Sequence, residues 1–204
     1  MVKKRSESYF SKLNNYFYGN FKLSLKFLGE IRNYILFSLL LFFIFGIIGF
    51  AFPIFFKEEI IKMIAELVKE TEGLGVIGLT RFIIMNNTQG AFFAMILGIF
   101  FGIIPLIILI MNGYVLGFVS NQVAAQFGGL VLWRLLPHGI FEIPAIVIAG
   151  GLGIKLGLFL FISKEKTWKE FKKSLANSLR AFILIVIPLL VIAGIIEGLL
   201  INFL

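Results

Sequence analysis

Between Tyr34 and Phe56 the chain carries no charged residue, and a run of that length spans a bilayer core of about 30 Å as a single helix, which needs roughly 20 apolar residues. Ala91 to Met111 and Phe182 to Leu204 are comparable. The composition agrees, at 59% hydrophobic and only 15% charged over 204 residues. A fourth run, Ile143 to Ile162, contains Lys155 and several glycines, which membrane helices tolerate where they pack on neighbours. A fifth, Gly113 to about Trp133, is interrupted by Asn121, Gln122 and Gln126.

Charge resolves the status of the fifth run. Lys3, Lys4, Arg5, Lys12, Lys22, Lys26 and Arg32 precede the first span, and Lys164, Lys166, Lys169, Lys172, Lys173 and Arg180 precede the last. Basic connections face the cytoplasm, so an even number of spans separates the two blocks and Gly113–Trp133 is needed as a full span. The Lys57–Gly90 connection balances Lys57, Lys62, Lys69 and Arg81 against Glu58, Glu59, Glu66, Glu70 and Glu72, which suits the outside. The expected fold is an all-α polytopic bundle of five transmembrane helices with amphipathic interfacial helices: a basic amphipathic arm over 1–33 and a membrane domain over 34–204, with spans near 34–56, 91–111, 113–133, 143–162 and 182–204. The N-terminus is placed in the cytoplasm and the C-terminus outside, in a cell membrane. The first apolar run starts too late and is too long for a cleavable signal peptide.

Ile60, Ile61, Ile64, Leu67 and Val68 recur at helical spacing among Glu and Lys, predicting an outer amphipathic helix. Trp168, Phe171, Leu175 and Leu179 do so in the second basic block, and Tyr9, Phe10, Leu13, Tyr16, Phe17 and Phe21 form an aromatic face on the N-terminal arm. Both read as cytoplasmic interfacial helices. Glycines four apart (Gly98 and Gly102, Gly113 and Gly117, Gly153 and Gly157, Gly194 and Gly198) let helix backbones approach closely. Pro105 and Pro188 are expected to kink spans two and five.

This topology gathers six polar residues at the outer ends of the helices: Asn86, Asn87, Arg134, His138, Glu142 and Glu197. Glu197 lies sixteen residues beyond Ala181, roughly 24 Å across at about 1.5 Å per residue. Pro137 suits a first helical turn, after which His138 and Glu142, at i and i+4, share a face with Gly139 between them. With a single His and no Cys, a metal would rest on one nitrogen plus carboxylates, so a network in which Arg134 or His138 neutralises Glu142 is favoured, and no metal or cofactor is expected. Charge inside a membrane is costly enough to make these residues candidates for function. Asn112-Gly113 reads as the tight inner turn between spans two and three. The absence of Cys excludes disulfides, thiolate metal sites and cysteine catalysis, and no catalytic motif is present, so an enzyme is not expected. Expected partners are membrane lipids and other membrane or envelope proteins, with homodimerisation open. Nucleic acid is not among them, because the basic blocks sit beside apolar runs and fit anionic headgroups better.

In chain order, Asn86-Asn87, the Gly98 and Gly102 span, Asn112-Gly113 with Gly117, Pro137-His138-Gly139 with Glu142 and Pro144, and Gly150-Gly151 with Gly153 resemble the stage II sporulation protein M family. Ala193-Gly194-Ile195-Ile196-Glu197 is similar to that family's last span. The resemblance covers roughly Leu36 to Leu204, and Pro-His-Gly-x-x-Glu is its most specific part. It implies a five-span membrane protein. In spore-forming bacteria, members anchor a complex with two cell-wall hydrolases during engulfment, so the resemblance implies a membrane scaffold that assembles partner proteins. The alternative from the residues is a transporter or lipid-handling protein with a polar site near the outer face.

Overall fold

The computed structural model describes residues 2–162 and 167–203, and the side chains of all of these except 2–13, 134, 135, 160, 162, 202 and 203. Helix α1 (Val2–Glu30) meets α2 (Arg32–Ala51) at Ile31, a buried corner whose N–H still donates to the Phe27 carbonyl at 3.1 Å. Then come α3 (Lys57–Thr71) and α4 (Val76–Ile96), the latter extended by a 3-10 turn over Leu97–Ile99. Helix α5 (Ile103–Phe127) is followed by a 3-10 segment (Gly129–Leu135), α6 (Leu136–Gly157), a short α7 (Phe159–Ile162), α8 (Trp168–Ala181), a π-helical turn (Phe182–Val186) and α9 (Ile187–Phe203). Five of the described helical segments are long and apolar enough to cross a membrane: α2, α4 with its 3-10 turn, α5, α6, and the continuous α8–α9 segment from Trp168 to Ile201.

Helix α6 is the hub, packed against α2, α4, α5 and α9. Its sequence explains this, because Ala145, Ala149, Gly150, Gly151, Gly153 and Gly157 give it a slim surface that neighbours reach at backbone distance. A Cβ on Gly153 would meet the Ala94 carbonyl oxygen, and one on Gly157 the backbone of Gly98 and Gly102. The other glycine pairs do the same elsewhere. Gly113 and Gly117 of α5 abut Phe42 and Gly46 of α2, while Gly194 and Gly198 of α9 abut Ile84 and Thr80 of α4. All four pairs therefore act in packing within the chain. Helices α1 and α8, which carry basic residues of the two blocks, pack together at one end of the bundle through Phe27, Leu28, Leu175 and Leu179. Lys155 lies near that end, 5.6 Å from the centroid of the Tyr34 ring.

Several boundaries differ from those read in the sequence. Span two begins at Val76 rather than Ala91, and spans two and three are joined at 100–102 rather than at Asn112-Gly113. The apolar run from 91 to 111 passes straight through this connection. Such a turn needs no polar residue because its backbone is satisfied internally: Phe100 N–H donates to Leu97 O at 3.1 Å and Gly102 N–H to Gly98 O at 2.8 Å. Phe101 and Gly102 take positive φ values of 57° and 73°, a conformation that favours glycine and is unusual for phenylalanine. Asn112 and Gly113 consequently lie within α5, and Asn86 and Asn87 lie within α4 rather than ahead of it. Pro105 occupies the first turn of α5, where its missing N–H costs nothing, so the expected mid-span kink is absent there. Before Pro188 the helix widens instead, with Ile187 N–H donating to Phe182 O in the π-helical turn. Helix α8 runs directly into α9 through this turn rather than forming a separate surface helix. Its start has a side-chain N-cap, with the Thr167 hydroxyl accepting from Glu170 N–H at 3.3 Å.

At the other end of the bundle, α3 lays Ile60 against Tyr114 and Phe118 of α5. The Tyr114 hydroxyl ties down the intervening turn by accepting from Phe55 N–H at 3.0 Å and donating to Phe52 O at 2.8 Å. Asn121, one of the residues that makes span three look interrupted, donates to Phe50 O of α2 at 2.9 Å, so its polarity is used between helices. Tyr16, Phe17 and Phe21 of the N-terminal aromatic face are exposed on α1, whereas the side chains of Tyr9, Phe10 and Leu13 lie outside the described residues.

Candidate functional site in the bundle

Helix α6 starts with Leu136-Pro137, and proline in the first turn leaves no donor unsatisfied. His138 then falls in the first turn and Glu142 one turn further, on the same face. Helix α9 runs antiparallel beside α6 and brings Glu197 to the same level. One donor atom each from His138, Glu142 and Glu197 lie within 4.8 Å of one another. His138 Nδ1 is buried and has no hydrogen-bond partner among the described residues. Of the six residues expected to gather, these three do. Arg134 is in the 3-10 segment before α6, and its side chain lies outside the described residues.

His138, Gly139 and Glu142 form part of the wall of a cavity of about 610 Å³. Leu39, Phe42 and Phe43 of α2, Leu116 of α5, and Leu132, Ile143 and Ile146 make most of the rest apolar, while Asn112 and Ser120 add polar groups. Asn86 and Asn87 line a second cavity of about 350 Å³ with Gln89 and Asn112. Asn112 and Ile146 belong to both walls, so the two spaces adjoin across α5 and α6. Asn112 also donates to Ile108 O at 2.8 Å, a bond within its own helix that leaves its side-chain oxygen available. The dipeptide Asn-Gly hid this role in the sequence, because it is also the commonest turn signature. Its position within a long apolar stretch was the signal that pointed the other way.

These features define a class: a polytopic α-helical membrane protein with a largely apolar cavity whose wall carries an imidazole and a carboxylate, with a second carboxylate, Glu197, close beside them. Residues 35–200 match the stage II sporulation protein M family, and the chain belongs to that family. It is similar to Uncharacterized protein MJ0706 of Methanocaldococcus jannaschii, at 36% identity over 107 residues, covering 50% of this chain and 48% of that protein. It is also similar to Uncharacterized protein MJ0793 of the same organism, at 37% identity over 113 residues, covering 52% of this chain and 64% of that protein. The match thus spans about half to under two thirds of each relative's length. No solved structure matches.

Proposed function

We propose that the protein is a lipid-handling membrane protein that binds an amphipathic molecule in the cavity between α2, α5 and α6, and that it works by binding rather than catalysis. The observation that supports this is the cavity of about 610 Å³, which is of ligand size and has a few convergent polar groups on apolar walls. An acyl or isoprenoid chain fits against Phe42, Phe43 and Leu116, and a polar head fits beside His138 and Glu142. With the basic α1 and α8 on the cytoplasmic side, the N-terminus is cytoplasmic, the C-terminus is outside, and the head-binding end faces the outer leaflet. The test is native mass spectrometry of protein released from its own membranes. A discrete lipid species should be retained by wild type and depleted in Glu142→Gln. Equal retention by both forms would contradict the reading.

The scaffold role that goes with the family rests on a separate observation, the pairing of α1 with α8, beside which α1 leaves Tyr16, Phe17 and Tyr18 exposed. A protein that co-purifies with wild type and is lost when these three aromatics are replaced by serine, with the bundle still folded, would favour that role. In that case the cavity and the platform serve one protein at opposite ends.

A further inference from the structure

We propose that His138, Glu142 and Glu197 bind one divalent transition-metal ion, with Zn²⁺ the best match to one imidazole and two carboxylates. The inference concerns a wall of the cavity described above but does not depend on that cavity holding a ligand. The sequence placed His138 and Glu142 on one helix face and Glu197 at the same level, and the fold brings one donor atom from each within 4.8 Å of one another. Bonds of about 2.0–2.2 Å in tetrahedral geometry place ligand atoms roughly 3.5 Å apart. Closing the difference needs about 1 Å of movement, which rotation of the glutamate side chains supplies.

Two further observations point to a cation. His138 Nδ1 is shielded from solvent and lacks a partner among the described residues, and a metal bound through it would satisfy a buried lone pair. Among the described residues, moreover, no ion pair engages Glu142 or Glu197. The ion pair present there joins Lys173 and Glu170 on α8, while Lys155 sits over Tyr34. The side chain of Arg134 lies outside the described residues, and two carboxylates so close together at the outer ends of the helices are stabilised by sharing a proton or a cation. A divalent ion balances them to zero net charge. Calcium and magnesium favour sets of oxygen ligands, whereas an imidazole favours zinc and its neighbours. Three protein ligands leave a coordination position open. Because His138 and Glu142 line the cavity, that position is reachable from it.

The experiment uses full-length protein without a polyhistidine tag, in lipid-free detergent, stripped of metal and titrated with Zn²⁺ against a chromophoric chelator. Wild type should bind one ion per chain, and Glu142→Gln, Glu197→Gln and His138→Gln should each weaken binding at least about tenfold. Co²⁺ should give a visible absorption band that is lost in His138→Gln. Failure of wild type to bind, or binding unchanged in all three variants, overturns the proposal. X-ray absorption on zinc-loaded wild type needs no variant to fold: it should show a single imidazole in the coordination shell, and a shell without imidazole overturns the proposal equally. Lipid retention is measured separately, so loss of either result leaves the other reading standing.

Discussion

Replacing Gly98 by alanine should destabilise the bundle far more than the small added volume suggests. A Cβ at Gly98 would lie 2.5 Å from Gly153 Cα and in contact with the Gly153 carbonyl, whereas ordinary contact begins near 3.4 Å. Both partners are backbone, so no side chain can swing aside and α4 must move about 1 Å away from α6. That movement also loosens the neighbouring approaches of Gly153 to Ala94 and of Gly157 to Gly102. Overpacking costs typically 1–3 kcal/mol, and the rigid contact places this case near about 3 kcal/mol. At about 2–4 °C per kcal/mol for a chain of this size, Tm should fall by roughly 6–12 °C. Gly90, in the same α4, is the control. Among the described residues nothing lies within 4 Å of its Cβ position, so Gly90→Ala removes backbone freedom from a helix and should stabilise by about 0.5–1 kcal/mol. Thermal scans read by fluorescence-detected size exclusion give both values. Equal shifts in the two variants would refute the claim that α4 and α6 meet at backbone distance.

Tyr114→Phe removes both hydrogen bonds that hold the turn between α2 and α3. It should cost about 1–2 kcal/mol and speed hydrogen exchange at the Phe55 amide, an effect checked by exchange mass spectrometry. Thr167→Ala removes the N-cap of α8, costing about 1 kcal/mol. Its faster exchange should be confined to the first turn of α8, with the five spans unaffected. In Asn121→Leu the Phe50 carbonyl loses its side-chain donor, and Tm should fall by about 2–4 °C, corresponding to about 1 kcal/mol.

Much of the fold was legible because hydropathy and charge act on whole segments. Five spans, the placing of the two basic blocks at the same end and the close-packing role of glycine at four-residue spacing all follow from such segment-level physics. The hairpin at 100–102 was not legible, because it closes on its own backbone and needs no polar residue. Arg81, Asn86, Asn87 and Gln89 lower the hydropathy of α4 enough to hide its first fifteen residues, and Asn112-Gly113 imitates a turn. For the site, the i and i+4 spacing placed His138 and Glu142 together, and counting the rise along span five brought Glu197 to their level. Asn86 and Asn87 went instead to a second cavity, because their helix begins at Val76. The apolar wall from Leu39, Phe42 and Phe43 carried no sequence signal at all, since a leucine or phenylalanine facing a cavity reads the same as one facing lipid.

The central claim is that the space beside His138 and Glu142 holds an amphipathic molecule. Gly139 provides a direct means of blocking it, because it lies in the cavity wall and, among the described residues, a Cβ there would meet only Ile143 Cδ1, at 3.8 Å. Gly139→Leu therefore places a branched side chain on the cavity wall and narrows the space beside His138 and Glu142. The measurement is photocrosslinking in native membranes from a benzophenone amino acid at Leu116, on the cavity wall, and at Ile107, exposed on the outer surface of α5. The account predicts a discrete lipid adduct at position 116 that Gly139→Leu abolishes, while the heterogeneous adducts at position 107 persist. Position 116 yielding the same mixture as 107, or an adduct indifferent to Gly139→Leu, would contradict it.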